Sequence, residues 1–214
     1  MWTILNNFIQ WYEENKGRMT DAHLKAEQIM KLTTLLTHAV RAKMDSIYDF
    51  LDEYQTSQTK IVVFAHHKIT QEQIFNRYTD NAVWFRASMT PEQQRAAENK
   101  FNTDENCLFA VVSFMSGKEG LNLQVAQHLA FAEYIWTPGD HLQAEDRIHR
   151  IGQKGCASIY YLVAEDTIEE YLEDVLAGKR KILDGMFDST YDYSVNTFTD
   201  DVIRKFWDKK RGGK

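Results

Sequence analysis

The chain has 214 residues, 43% of them hydrophobic and 26% charged, which is enough for one large domain with its own core and unlike a disordered chain. Its formal net charge of −6 has the wrong sign for a surface that grips nucleic acid everywhere, so any such contact must be a local patch. No apolar run reaches the length of a membrane span, and the N-terminal MWTILNNFIQWYEENKGR lacks the basic start and small-residue cleavage site of a signal peptide, so a cytoplasmic or nuclear protein with no membrane partner is predicted.

Residues 1–57 carry helical periodicity, first through Trp2, Ile4, Leu5, Phe8, Ile9 and Tyr12, then through Leu32, Leu35, Leu36, Ile47, Phe50, Leu51 and Tyr54. KIVVFA at 60–65 is a short β-rich run and is predicted to be a buried parallel strand. His66 and His67 follow it directly. They cannot share one helical face and have no third ligand nearby, so they read as loop residues, either simply exposed or beside a nucleic-acid phosphate, rather than as metal ligands.

A helix is predicted over 71–78 and a strand over 83–86. In RASMTPEQQRAAENKF, Thr90 is placed as a helix N-cap, Pro91 as the first helical residue and Gln93 as the far half of a capping box. Ser88 and Thr90 are therefore either helix caps or candidate contacts to a nucleic-acid phosphate. Further strands are predicted at 107–112, 127–131 and 158–163, and a long helix opens at Asp166 or Thr167. This alternation implies an open parallel sheet covered by helices on both faces, with ligand loops at the carboxyl ends of the strands. Cys107 and Cys156 are isolated from each other and from any ligand spacing, so neither a disulfide framework nor a metal site is expected. The basic ending IRKFWDKKRGGK is either a solvated tail or a local cationic patch.

Between Val111 and Gln153 the pattern is strand, glycine-bearing loop, strand and short helix. That helix has Asp140 and Gln143 as an N-cap pair and Gly152 as its stop. Gln143, Arg147 and Arg150 fall at i, i+4 and i+7, which puts one amide and two guanidiniums on a single stripe. Paired planar guanidiniums suit a polyphosphate better than lysines would; the same spacing also describes a solvated face laced with Glu145 and Asp146.

QAEDRIHRIGQ resembles the last conserved motif of the Swi/Snf-type branch of helicase superfamily 2, which includes the HARP-like annealing helicases. SGKEGLNL resembles the glycine-rich motif that precedes it, and IWTPGDHLQAEDR resembles the Trp-x-Pro segment. The resemblance spans residues of about 30 to 187 and implies a second RecA-like lobe with a helical lead-in (1–57), the lobe itself (58–165), and a brace helix with a basic tail (166–214). It further implies that Arg147 and Arg150 are arginine fingers, that Gln143 positions them or the nucleotide, and that Gly120 and Asn122 lie near the ribose. Trp136 would couple the nucleotide cleft to nucleic acid, and His66, Ser88, Thr90, Ser113 and Ser116 would face the nucleic acid. The sequence departs from the family pattern at Phe114, Met115, Lys118 and Glu119, and Phe114 stands where a threonine or serine phosphate contact is usual.

A complete nucleotide hydrolase of this type needs G-x-x-x-x-G-K-[ST], but the residues five before Gly117, Gly178 and Gly213 are Val112, Glu173 and Asp208. Asp52 and Glu53 lie in a helical rather than a strand pattern, on its solvated side. The resemblance therefore implies half of a motor: ATP with Mg2+ held mainly by a separate P-loop-bearing first lobe, with this chain adding arginines and part of a track for double-stranded or branched DNA. The alternative is a non-catalytic module that binds nucleic acid or a partner motor.

Overall fold

The computed structural model describes residues 2–15, 21–117, 121–123, 125–134, 141 and 158–173. The chain divides into two compact units, one formed by residues 1–42, 136–138 and 163–214 and the other by residues 43–135 and 139–162. Helix α1 (Trp2–Asn15) lies in the first unit and α2 (Asp21–Thr56) runs from the first into the second. Within the first unit, Phe8 stacks on Trp11 at 6.1 Å and the Lys31 ammonium sits 4.7 Å from the Trp11 ring centroid. The leucine stripe of Leu32, Leu35 and Leu36 is buried, as an amphipathic period requires.

The second unit holds a five-stranded sheet, with strands β1 (Ile61–Ala65), β2 (Ala82–Phe85), β3 (Phe109–Ser113), β4 (His128–Phe131) and β5 (Ser158–Tyr161). Its order is β2-β3-β1-β4-β5, and every pair is parallel. Helices α3 (Lys68–Arg77), α4 (Pro91–Thr103) and the single turn α5 (Phe114–Gly117) connect the strands. This is the open parallel sheet with helices on both faces that the alternation of elements predicts.

Alternate residues of the strands serve the two faces. Val62, Phe64, Val83, Phe85, Val112, Leu129 and Phe131 pack with Phe101 of α4, Phe114 of α5, Leu121 and Leu123. On the other face Tyr78 stacks on Phe109 at 4.3 Å, Phe75 meets Trp84 at a tilt at 5.5 Å, and Tyr54 of α2 meets His128 at 5.2 Å. Both faces are thus apolar, which is why β1 and, up to its final Ser113, β3 are continuous hydrophobic runs, buried along their whole length.

Polar groups fix the helix ends. Thr90 accepts from the Gln93 amide while the Gln93 side chain accepts from the Thr90 amide, and Pro91 opens the helix, which is the predicted capping box. Replacing Thr90 with alanine is expected to cost about 1 kcal/mol of stability, read as a lowered urea midpoint with an unchanged m-value. At the other end of α4 the Lys60 ammonium donates to the Phe101 and Asp104 carbonyls, meeting the negative end of the helix dipole. Asp52 and Glu53 lie on α2, as their periodicity implies, and Asp52 accepts from Arg77 and from the Tyr78 hydroxyl.

Several boundaries differ from the sequence reading: β3 starts at Phe109 rather than 107, and β2, the start of β4 and the end of α3 shift by one residue. Helix α3 starts at Lys68 rather than residue 71, although no side chain of its own caps it. Strand β5 ends at Tyr161 rather than 163, because β4, its only neighbour among the described residues, ends at Phe131. The brace helix expected from residue 166 onward is described only to residue 173: it is helical from Ile168, and Thr167 Oγ accepts from the Glu169 amide at 3.1 Å as its cap. The rest of the brace, the basic tail and Cys156 lie outside the described residues.

Candidate nucleic-acid interface at the carboxyl edge of the sheet

The topology reverses beside β1: the chain leaves β1 toward β2 on one side, whereas β4 and β5 lie on the other. In a parallel sheet the crevice at such a switch point is the preferred place for a ligand. Here the loops leaving β1 and β4 lie side by side. Ala132 donates to the Phe64 carbonyl at 2.9 Å, and Glu133, next in the chain, is fully buried.

Glu133 holds the β1 exit. Its Oε2 accepts from the backbone amides of His66 and His67, both at 2.8 Å, and lies 3.0 Å from His67 Nδ1. A carboxylate from the loop after β4 therefore sits at the N-terminal end of α3, where free amides and the helix dipole favour negative charge. That external cap lets α3 begin three residues earlier than its own sequence indicates. Burial alone would raise the Glu133 pKa, but the bonds from His67 and the nearby Thr70 hydroxyl outweigh it and hold the group below its ordinary value. Thr70 acts here by proximity, since Oε1 accepts no well-aligned hydrogen bond among the described residues.

A second buried polar side chain ties β1 to β2. Gln71 donates to the carbonyls of Ala65 and His66 at 3.0 and 3.2 Å, and its Oε1 accepts from the Trp84 indole at 3.0 Å. The Arg86 guanidinium in turn lies 4.8 Å from the Trp84 ring centroid. Arg86 also opens a tight turn, with the Met89 amide bonded to its carbonyl at 3.1 Å.

The residues singled out from sequence fall into four groups. His66 and Ser88 are exposed at the carboxyl edge, and Thr90, also exposed there, uses its hydroxyl in the capping box and beside Glu92. Ser113 and Ser116 are brought together, with their hydroxyls 2.7 Å apart, but both are buried. Phe114 between them packs on Phe64, Phe131 and His141 at 5.4–5.7 Å, so this position serves the core and not a phosphate. Asn122 is exposed beside the last turn of α4, its backbone bonded to Glu98 and Asn102, at the opposite end of that helix from Ser88. Gly120, Trp136, Gln143, Arg147 and Arg150 lie outside the described residues.

Sequence reasoning missed Glu133, Gln71 and Arg86. Glu133 had a signal, a single acid inside the apolar run LAFAEYIW. Gln71 and Arg86 had none, because an amide near a helix start and an arginine after a strand are ordinary.

A profile described as the helicase conserved C-terminal domain matches residues 42–152, which include four of the five strands, β1 to β4. The chain belongs to that family. It is 31% identical over 185 residues to the SWI/SNF-related matrix-associated actin-dependent regulator of chromatin subfamily A-like protein 1 of Xenopus tropicalis, covering 85% of this chain and 20% of the relative. It is 30% identical over 177 residues to the DNA annealing helicase and endonuclease ZRANB3 of Bos taurus, covering 80% of this chain and 16% of the relative. This helicase C-terminal domain thus spans a fifth or less of the length of these relatives. In fold it is similar to the Sulfolobus solfataricus SWI2/SNF2 ATPase core solved in complex with dsDNA, with a TM-score of 0.70 at 20% identity over 92% of this chain and 44% of the other. These likenesses place the helicase C-terminal domain in the SWI/SNF branch and its sheet among RecA-like lobes, as the motifs imply.

No helix among the described residues is long and apolar enough to cross a membrane. Nor does any group of three or more metal-ligating side chains occur among them.

Proposed function

We propose that this chain is the second motor lobe of a SWI/SNF-type DNA-dependent ATPase, working in the nucleus or cytoplasm with a P-loop-bearing first lobe. The family match over residues 42–152 carries the reading, because such a sheet delivers its ligand loops at one edge, where His66, Ser88 and Thr90 are exposed. ATP with Mg2+, held mainly by the first lobe, supplies the phosphoryl group that is released. Gln143, Arg147 and Arg150 have the donor chemistry for its outer phosphates: two forks that remain charged and one amide. The exits of β1 and β2, with His66 and Ser88, form part of a track for double-stranded or branched DNA. Support for DNA as the partner is the likeness to a core solved with dsDNA and to relatives named as annealing helicases.

The test is reconstitution. The chain alone is expected to hydrolyse no ATP, and mixing it with a P-loop-bearing first lobe of the same type should produce turnover that rises on adding duplex DNA. A mixture that binds DNA yet stays inactive would instead favour a non-catalytic binding module.

A further inference from the structure

We propose that Arg86 is a phosphate contact on this DNA track, held at its working position by a Gln71–Trp84 strut. The proposal rests on the reading of the chain as a DNA-engaging lobe and adds a residue that the family motifs do not single out. Register places Arg86 at the right level: Phe85 of β2 and Phe64 of β1 both pair with Val112, so the residues that follow them emerge together at the carboxyl edge. Adjacent strands lie about 4.8 Å apart, which puts the β1 and β2 exits roughly 10 Å from one another with β3 between them.

Arg86 is exposed, and no carboxylate among the described residues pairs with it. Arg77 offers the contrast, because its guanidinium is engaged by Asp52 at 2.6 Å. The ring of Trp84 lies beneath the Arg86 guanidinium. That leaves the N–H edge available for the paired bonds a phosphate accepts. Trp84 does not float, since its indole N–H is anchored on Gln71 and its ring packs on Phe75. Gln71 is buried, and its amide spends both donors on the Ala65 and His66 carbonyls. The loop beside His66 and the guanidinium of Arg86 are therefore set by one side chain, which keeps the two halves of the edge in step.

The salt dependence of duplex binding by the full chain tests this. Each phosphate neutralised contributes about 0.9 to the slope of log K against log salt. Arg86→Ala should lower that slope by about 0.9, so the affinity lost between 50 and 200 mM salt shrinks by roughly threefold. Arg86→Lys should restore the slope without restoring the full affinity, since an ammonium keeps the charge and loses the fork. Lys100→Gln, which removes one exposed charge near the far end of α4, should leave the slope unchanged. Trp84→Phe keeps the ring and removes the indole N–H, so the slope should persist while Kd weakens severalfold. An Arg86→Ala protein with the wild-type slope overturns the contact, and a Trp84→Phe protein with the wild-type Kd overturns the strut. A wild-type chain with no measurable duplex binding overturns the DNA-lobe reading itself and the proposal with it.

Discussion

Replacing Glu133 with alanine is expected to lower the stability of the folded chain by about 3–5 kcal/mol, because it leaves the part-buried His66 and His67 amides without this acceptor. Glu133→Gln should cost less, since the amide oxygen can still accept while the negative charge at the N-terminus of α3 is gone. The pH dependence separates the two effects. The folded-state pKa of Glu133 is lowered, whereas an unfolded glutamate titrates near about 4.3. Its contribution is therefore complete above that value and disappears as pH falls through the lower, folded pKa. Urea unfolding at neutral pH and on the acid limb should show the wild-type advantage over Glu133→Gln shrinking below about pH 4. An advantage that stays constant to lower pH would mean that the carboxylate contributes through shape alone.

The loss should be local before it is global. Glu133 accepts from the amides at the start of α3, whose Ncap residue His67 makes no side-chain cap bond of its own. Amide exchange at the start of α3 should accelerate in Glu133→Gln more than exchange in β1 or β3, where the strands are buried on both faces.

The difference between what periodicity announces and what the chain does is concentrated at this site. Strand β1 and the capping box of α4 depend on neighbours in sequence, and they stand where the pattern puts them, within a residue at each end. The parallel order follows from the alternation of elements. The start of α3 does not, because its cap comes from a residue 66 positions away, and only the reversal of the sheet beside β1 brings the two together. Phe114 is legible in retrospect for the same reason: a large apolar residue where the family keeps a small hydroxyl announces a position that faces inward, and the ring sits against Phe64 and Phe131. Arg86 is harder still, since its role needs β2 at the edge, Trp84 half-exposed and Gln71 reaching across from α3.

In a reconstituted motor, Arg150→Ala is expected to reduce DNA-stimulated turnover by roughly 10³ to 10⁵, the range found where an arginine meets the charge that develops on a departing phosphoryl group. Arg147, one turn away on the same predicted stripe, should give a loss of similar kind. Two further measurements distinguish a finger from a structural arginine. Lysine at position 150 should recover little, because the fork and not the charge alone is what matches the phosphate oxygens. Duplex affinity and its salt slope should be unchanged in Arg150→Ala, whereas they should fall in Arg86→Ala, whose effect on turnover should disappear at saturating DNA. The two arginines thus fail in opposite assays if the nucleotide and DNA functions occupy separate parts of the lobe. Equal losses in both assays from either substitution would mean that they act on one shared surface, and normal turnover in Arg150→Ala would leave the predicted stripe as a solvated face laced with Glu145 and Asp146.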